Sequence, residues 1–291
     1  IGLLSACLKR DGFNVDLFDT TYYKDIYDYQ VTKEEPKVNR LSVRPFKIPT
    51  KISLKHSSPF EDFRERVESF SPDLLALSAT EDMFMLGVEL LRVVRHHKIL
   101  TIVGGVFATF GPDIALSFPE IDIVCRGEGE DALVELCKRL EKKQKFDDIP
   151  NLWVKKQDGE IVKNPIKLID MDMNPLIDMS IFEEARYYRP MMGEIYRMFP
   201  AETHRGCPYL CAFCNSPSQT AMYKSEKGQS YLRRKKFDNM RKELIFYKDV
   251  MKAEFLYFWA DTFFSWKGNE FFEFAELYEE IGLPFWCQTR V

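Results

Sequence analysis

The apolar positions of residues 1–145 fall into short runs that switch between a helical and a strand period. Ile1 to Lys9 is mostly apolar and predicts a helix, and Asp11-Gly12 ends it with Gly past the last turn. Asn14 to Asp19 alternates as a strand. Thr20 to Pro59 is polar, rich in Tyr and Lys and interrupted by prolines, and predicts a long excursion or partial helix. Glu61 to Phe70 reads as a helix, Ser71-Pro72-Asp73 as a turn and Leu74 to Ser78 as a strand. The pattern repeats with a helix from Met83 to His96, a buried strand from Ile99 to Val103 and an exit at Gly104-Gly105. A short helix from Asp113 to Phe118, a strand from Ile121 to Cys125 and a helix from Glu130 to Glu141 complete it. Strands alternating with helices predict an α/β, Rossmann-like parallel sheet covered on both faces. Ligands of such sheets bind outside the carboxyl ends of the strands. Here those ends carry Ser78-Ala79-Thr80, Gly104-Gly105 and the run Arg126-Gly127-Glu128-Gly129-Glu130.

Beyond the charged stretch Lys142 to Asp148, Leu152 to Val154 and Ile161-Val162 flank Asp158-Gly159 as a hairpin. Met171 to Met179 is acidic and Met-rich, without ligand spacing. Glu194 to Pro200 predicts a strand, Asn215 to Ser230 a polar loop, and Lys235 to Met251 a charged helix. Ala253 to Ala260 is a strand, Glu270 to Ile281 a helix and Phe285 to Thr289 a strand, which predicts the first part of a (β/α) barrel. The expected division is 1–145, a connector at 146–195, and 196–291. The chain has no initiating Met and stops just after a strand, so a piece of a longer protein truncated at both ends is expected.

Composition narrows the class. An apolar share of 45% and a charged share of 30% describe an ordinary folded protein. The net charge of −4 argues against a nucleic-acid-coating surface. No apolar run reaches the ~20 residues of a membrane span, and no signal peptide is visible. The seven cysteines are not spaced as a disulfide framework, which predicts a reducing, cytoplasmic setting.

The chemistry concentrates at Cys207-Pro-Tyr-Leu-Cys211-Ala-Phe-Cys214, behind Glu202-Thr203-His204-Arg205-Gly206. Three thiolates at this spacing suit three corners of a [4Fe–4S] cube and leave one iron open for a small molecule. A zinc site needs a fourth ligand, for which His204 is the nearest candidate, and would make the chain a non-enzymatic α/β binding module. Asp261 closes a strand, where it either holds a ligand or caps the next helix. Arg290 ends the following strand and could pair with a carboxylate or stay a surface residue. Arg233 and Arg234 read as a solvated face, and Cys287 as core. His56, His96 and His97 are poor cofactor ligands, the last two being cations at a helix end.

The cysteine spacing, with Phe213 before the last cysteine, resembles the cluster motif of the radical S-adenosylmethionine (radical SAM) superfamily. Ser-Ala-Thr, Gly-Gly-Val-Phe-Ala-Thr and Gly-Glu-Gly-Glu at successive strand ends resemble the cobalamin-binding domain that precedes many radical SAM barrels. The resemblance covers most of residues 1 to 141 and the cysteine loop. It implies a [4Fe–4S] cluster on Cys207, Cys211 and Cys214, with S-adenosylmethionine (AdoMet) on its open iron and oriented by Asp261 and Arg290. Many relatives show two acids at the strand end, whereas this chain has Ala260 before Asp261. The resemblance also implies cobalamin against Ser78, Thr80, Gly104, Gly105, Gly127 and Gly129. A cobalt-ligating His, where the family has one, would precede Ile1. The implied activity is methyl transfer to an unactivated centre of a small molecule, with an external electron donor such as flavodoxin or ferredoxin. Radical cyclisation or rearrangement, or radical chemistry without cobalamin, are the alternatives. A tRNA methylthiolating enzyme would carry cluster cysteines in its first domain, where Cys7, Cys125 and Cys137 are too scattered.

Overall fold

A computed structural model of the protein describes residues 1–26, 53–227 and 230–290. It divides into two compact units, the first built mainly from 54–169 with the amino-terminal helix and 174–182, the second mainly from 183–290.

The first unit opens with α1 (Gly2–Arg10), α2 (Pro59–Phe70), β1 (Leu74–Ser78), α3 (Glu81–Val93) and β2 (Leu100–Gly104). Two short helices, α4 (Val106–Phe110) and α5 (Pro112–Ser117), then lead to β3 (Ile123–Cys125), α6 (Glu130–Glu141), β4 (Leu152–Lys155) and β5 (Ile161–Lys163). The sheet order is β1-β2-β3-β4-β5, with β1, β2 and β3 parallel. Strand periodicity sorts the core onto two faces. Ile102 and Ile123 join Cys7, Leu133 and Leu136 on the α1 and α6 side, while Val103 and Val124 join Phe84, Val88 and Leu116 on the other. Each such aliphatic side chain contributes ~1.5–3 kcal/mol on burial.

The hairpin expected at Asp158-Gly159 forms, and β4 pairs antiparallel with β3 (Ile123 opposite Val154), so it extends this sheet. One reading changes. Residues 14–19 join no strand ladder among the described residues; Asp16 instead accepts two hydrogen bonds from Arg66 (2.5 and 2.7 Å). The exit from β2 continues directly into α4. Most of the Thr20 to Pro59 excursion lies outside the described residues.

Asp178 fastens α1. It accepts from Ser5 Oγ (2.6 Å), Lys9 Nζ (2.6 Å) and Ser180 Oγ (2.6 Å). Burial pushes its carboxyl up, but the bonds from Lys9, Ser180 and Ser5 outweigh that and bring it to about 2. A folded-state value below the unfolded one stabilises the fold at neutral pH, and that contribution is lost as pH falls from about 4 to about 2. Asp178→Asn should therefore cost about 2 kcal/mol at neutral pH and flatten the acid limb of urea-unfolding stability.

The second unit contains β6 (Tyr188–Met191), β7 (Glu194–Ala201), β8 (His204–Arg205), α7 (Ser216–Lys227), β9 (Arg233–Arg234), α8 (Phe237–Ile245), β10 (Phe255–Phe258), α9 (Glu270–Ile281) and β11 (Phe285–Cys287). Met192 (φ 55°) and Gly193 (φ 92°) form the two-residue left-handed turn between β6 and β7. β7, β10 and β11 are parallel, in the order β11-β10-β7-β6. One face packs on helices: Phe199 stacks on Tyr247 in a π-turn (Phe246–Val250) that continues α8, and Phe258 meets Phe274 and Tyr278 of α9. The stretch 215–230, expected as a loop, is largely α7; Tyr223 on its buried side stacks on Tyr231 with ring centroids 4.6 Å apart. Among the described residues no helix is long and apolar enough to cross a membrane.

Candidate functional site

In the first unit, β1 and β2 end in register at Ser78 and Gly104. Ser78 and Thr80 are exposed, and Thr80 Oγ1 donates to Asp82 Oδ1 (2.6 Å) at the start of α3. Gly105 has φ +104°, and a Cβ there would sit 3.1 Å from the Ala79 carbonyl oxygen, so the chain passes close enough to exclude any side chain. Gly104 has no such requirement; the nearest atom to a Cβ would be 3.9 Å away. Gly127 also has positive φ (76°), and Gly129 precedes α6 with its Cβ position 3.4 Å from Cys125 Sγ.

Thr109 ties these loops together. Its buried hydroxyl donates to the Gly105 carbonyl (2.8 Å) and accepts from the Gly127 N–H (3.0 Å). Sequence reading placed Thr109 inside the Gly-Gly-Val-Phe-Ala-Thr motif without assigning it a role; a hydroxyl one turn beyond the glycines was the available signal. Thr109→Val preserves shape but strands the Gly127 N–H, and should destabilise the protein by about 2 kcal/mol in denaturant melts. The edge fits a bulky polar cofactor. Its exposed hydroxyls offer hydrogen bonds, and Gly105 lets the β2 exit adopt a positive φ that other residues reach only with strain.

His56, His96 and His97 are exposed. The latter two occupy a turn before β2, at the opposite end of the strands from Ser78 and Gly104. With Glu68 they form, among the described residues, the one group of three His, Cys, Asp or Glu side chains whose ligand atoms lie within 4.8 Å of one another.

In the second unit, the cysteine loop leaves β8 through Gly206 (φ +92°). Cys207 and Cys211 are half-buried and Cys214 is exposed. Cys214 N–H donates to the Cys211 carbonyl (3.1 Å), which curls the loop, and Ser216 N–H at the start of α7 donates to Cys214 Sγ (3.4 Å). Arg290 Nη1 donates to Cys211 Sγ (3.7 Å). Asp261 Oδ2 accepts from Ser216 Oγ (3.0 Å). Burial raises the Cys207 thiol, and the negative charge of Asp261 and the neighbouring cysteines add to the rise. The three cysteines, Asp261 and Arg290 thus converge, although they come from separate segments. Asp261 bonds into the cysteine loop instead of capping α9, which begins at Glu270.

The donor set fits an inorganic cluster. Three thiols share one loop, with N–H donors aimed at two of the sulfurs, and such bonds favour thiolate. His204, the alternative zinc ligand, is buried: Nδ1 lies 2.9 Å from Thr203 Oγ1, and the ring packs edge-on against Trp266. Burial, then Arg234, pulls its pKa down to about 4, so it is neutral at physiological pH.

Arg233 and Arg234 are not a solvated face. They pair with β8, and Arg234 reaches Glu270 (3.3 Å) and the Phe237 ring (4.2 Å). Cys287 is half-buried. Two features under the loop escaped sequence reading. A Cβ on Gly206 would lie 2.9 Å from the backbone of Tyr231 and Leu232. Glu202, Arg205, Lys235 and Glu243 form a largely buried ion network, with Arg205–Glu202 at 2.8 Å and Lys235–Glu243 at 2.7 Å.

Comparison with known proteins places the first unit in a wider context. The B12 binding domain family matches residues 48–137. An uncharacterized methyltransferase of Pyrococcus horikoshii is 27% identical over 55% of this chain and 35% of its own. The anaerobic magnesium-protoporphyrin IX monomethyl ester cyclase of Rubrivivax gelatinosus is 26% identical over 53% of this chain and 29% of its own. The cobalamin-dependent radical SAM methyltransferase TokK of Streptomyces tokunonensis is 30% identical over 51% of this chain and 23% of its own. The matched region spans about a third or less of these relatives. Among solved structures, the cobalamin-dependent AdoMet radical enzyme OxsB superposes with a TM-score of 0.61 over 78% of this chain and 31% of its own, at 21% identity. The radical AdoMet methyltransferase TsrM of Kitasatospora setae does so with a TM-score of 0.61 over 96% of this chain and 47% of its own, at 15% identity. At these identities the likeness is one of fold. Residues 48–137 thus match the B12 binding domain family, and the relatives similar to this chain include cobalamin-dependent radical SAM enzymes.

Proposed function

We propose that the protein is a radical SAM enzyme that works with cobalamin and transfers a methyl group to an unactivated centre of a small molecule. The observation that carries this reading is the loop presenting Cys207, Cys211 and Cys214 beside Asp261 and Arg290. In this reading 1–145 is the cobalamin domain, 146–195 a connector, and 196–291 the first part of a radical SAM barrel. The parallel trio β7, β10 and β11 with helices on one face supports the barrel assignment.

When bound, the cluster supplies the electron that splits AdoMet into methionine and a deoxyadenosyl radical, and cobalamin supplies the methyl carrier. The protein holds and orients these groups. Cys207, Cys211 and Cys214 would ligate three irons, and Asp261, fixed by Ser216, would hold the amine or ribose of AdoMet. Gly105 supports the backbone turn at the strand-end edge, while Ser78 and Thr80 offer hydroxyls there. An external flavodoxin- or ferredoxin-like donor would deliver electrons.

The test is anaerobic reconstitution with iron, sulfide and cobalamin. Wild type should show iron and sulfide in equal amounts, a cobalamin absorbance and deoxyadenosine from AdoMet. Cys211→Ala should abolish deoxyadenosine. Zinc without sulfide would overturn the reading. A second reading, radical ring closure, is favoured by the similarity to the cyclase of Rubrivivax gelatinosus. A methylated product distinguishes the two.

A further inference from the structure

The segment after β11 is fastened to the loop after β10. Phe263 N–H donates to the Gln288 carbonyl (2.9 Å), Gln288 Nε2 to the Ala260 carbonyl (3.4 Å), and Phe264 N–H to Thr289 Oγ1 (3.3 Å). The next residue is Arg290, so this lacing fixes where its side chain begins. Its guanidinium lies over the Tyr209 ring (5.0 Å to the centroid) and directs Nη1 at Cys211 Sγ (3.7 Å). Among the described residues no carboxylate lies within ion-pair distance of Arg290. The loop is electrically lopsided: Cys207 feels the negative Asp261, whereas Cys211 faces a cation.

The expectation from sequence was that Arg290 orients AdoMet. We infer instead that Arg290 is a positioning residue for the cluster itself, holding a cation and an N–H···S bond on the Cys211 ligand so that the cluster accepts an electron more readily. The inference rests on the cluster reading above. Its physical basis is that cluster potentials follow net charge and hydrogen bonds to the sulfurs. One-electron reduction adds negative charge to the cluster and its thiolates, which a fixed guanidinium favours. Tyr209 provides the ledge, since a planar cation stacks on an aromatic face.

The test is an anaerobic redox titration of reconstituted protein with titanium(III) citrate as reductant, followed by electron paramagnetic resonance without AdoMet. In Arg290→Met the ratio of reduced to oxidised cluster at a fixed potential should fall about tenfold, a shift of about 59 mV to more negative potential for a one-electron couple. Arg290→Lys retains the charge without the flat fork and should fall between Arg290→Met and wild type. Tyr209→Leu should shift the potential in the same direction as Arg290→Met, by less. Because Arg290 is exposed, these variants should fold, and equal iron and sulfide content checks that. An unchanged potential in Arg290→Met overturns the inference, whether AdoMet affinity drops or cluster content falls. Failure of wild type to assemble any [4Fe–4S] signal would instead overturn the cluster reading.

Discussion

Gly206→Ala should leave a protein that folds in its first unit but assembles little or no iron–sulfur cluster. Gly206 has φ +92°, a conformation in which any Cβ is strained, and it immediately precedes Cys207. Strain is only part of the cost. The added carbon would lie 2.9 Å from Tyr231 C, Leu232 N and Tyr231 Cδ1, two of them backbone atoms. Moving that backbone would disturb the β8–β9 ladder, where Arg205 pairs with Arg233, and the stacked Tyr223 and Tyr231 rings. Strain and overlap together should cost about 3 kcal/mol, concentrated at the root of the cysteine loop. Iron and sulfide analysis after reconstitution, beside circular dichroism, checks it. A wild-type cluster content would show that the loop tolerates the displacement.

Lys235→Met should be the most destabilising single change, by about 3–5 kcal/mol, because it leaves buried carboxylates without their cation. Lys235 is 8% exposed, 2.7 Å from Glu243 and 3.7 Å from Glu202. Burial pulls its ammonium pKa down, but Glu243 and Glu202 outweigh that and hold it above the ordinary lysine value. A folded value above the unfolded one means that this contribution is complete at neutral pH and is lost only as pH rises beyond the lysine range, ~10. The loss in Lys235→Met should therefore be constant from mildly acidic to mildly alkaline pH. The double change Lys235→Met with Glu243→Gln should recover part of it, since removing both partners costs less than orphaning one. Denaturant melts of the four proteins measure the coupling; simple additivity would show that the pair does not interact.

The parts of this fold that sequence made legible are those written in local periodicity. Leu74 to Ser78 and Ile99 to Val103 are near-continuous apolar runs, and both form strands, the second largely buried in the middle of the sheet. The cysteine loop was equally plain, because its three ligands lie within eight residues. Asn14 to Asp19 misled because alternation marks a half-buried chain whether or not a neighbour completes the ladder. Phe13 and Val15 do pack against the core. The polar stretch after Cys214 hid α7, whose buried contact falls to Tyr223 and whose neighbour Tyr231 is distant in periodicity terms. Long-range contacts left no local mark. Nothing in the spacing of Thr109, Gly105 and Gly127 announces a shared hydroxyl, and nothing near Arg290 points to a sulfur 79 positions earlier.

The β4–β5 hairpin has a consequence of parity. A chain leaving β3 stands at the edge where the parallel strands end, and one antiparallel strand would carry it to the far edge. The second reversal brings it back, delivering residues 164–169 to the edge that bears Gly105 and Gly127. There Asn151 Nδ2 donates both to the Glu128 carbonyl (2.8 Å) and to the Lys167 carbonyl (3.1 Å), and Glu128 Oε2 takes the Ile169 N–H (2.9 Å). The two added strands thus return the chain to the edge where β1, β2 and β3 end. Strands could be gained or lost here in pairs without disturbing that exit, whereas a single strand could not.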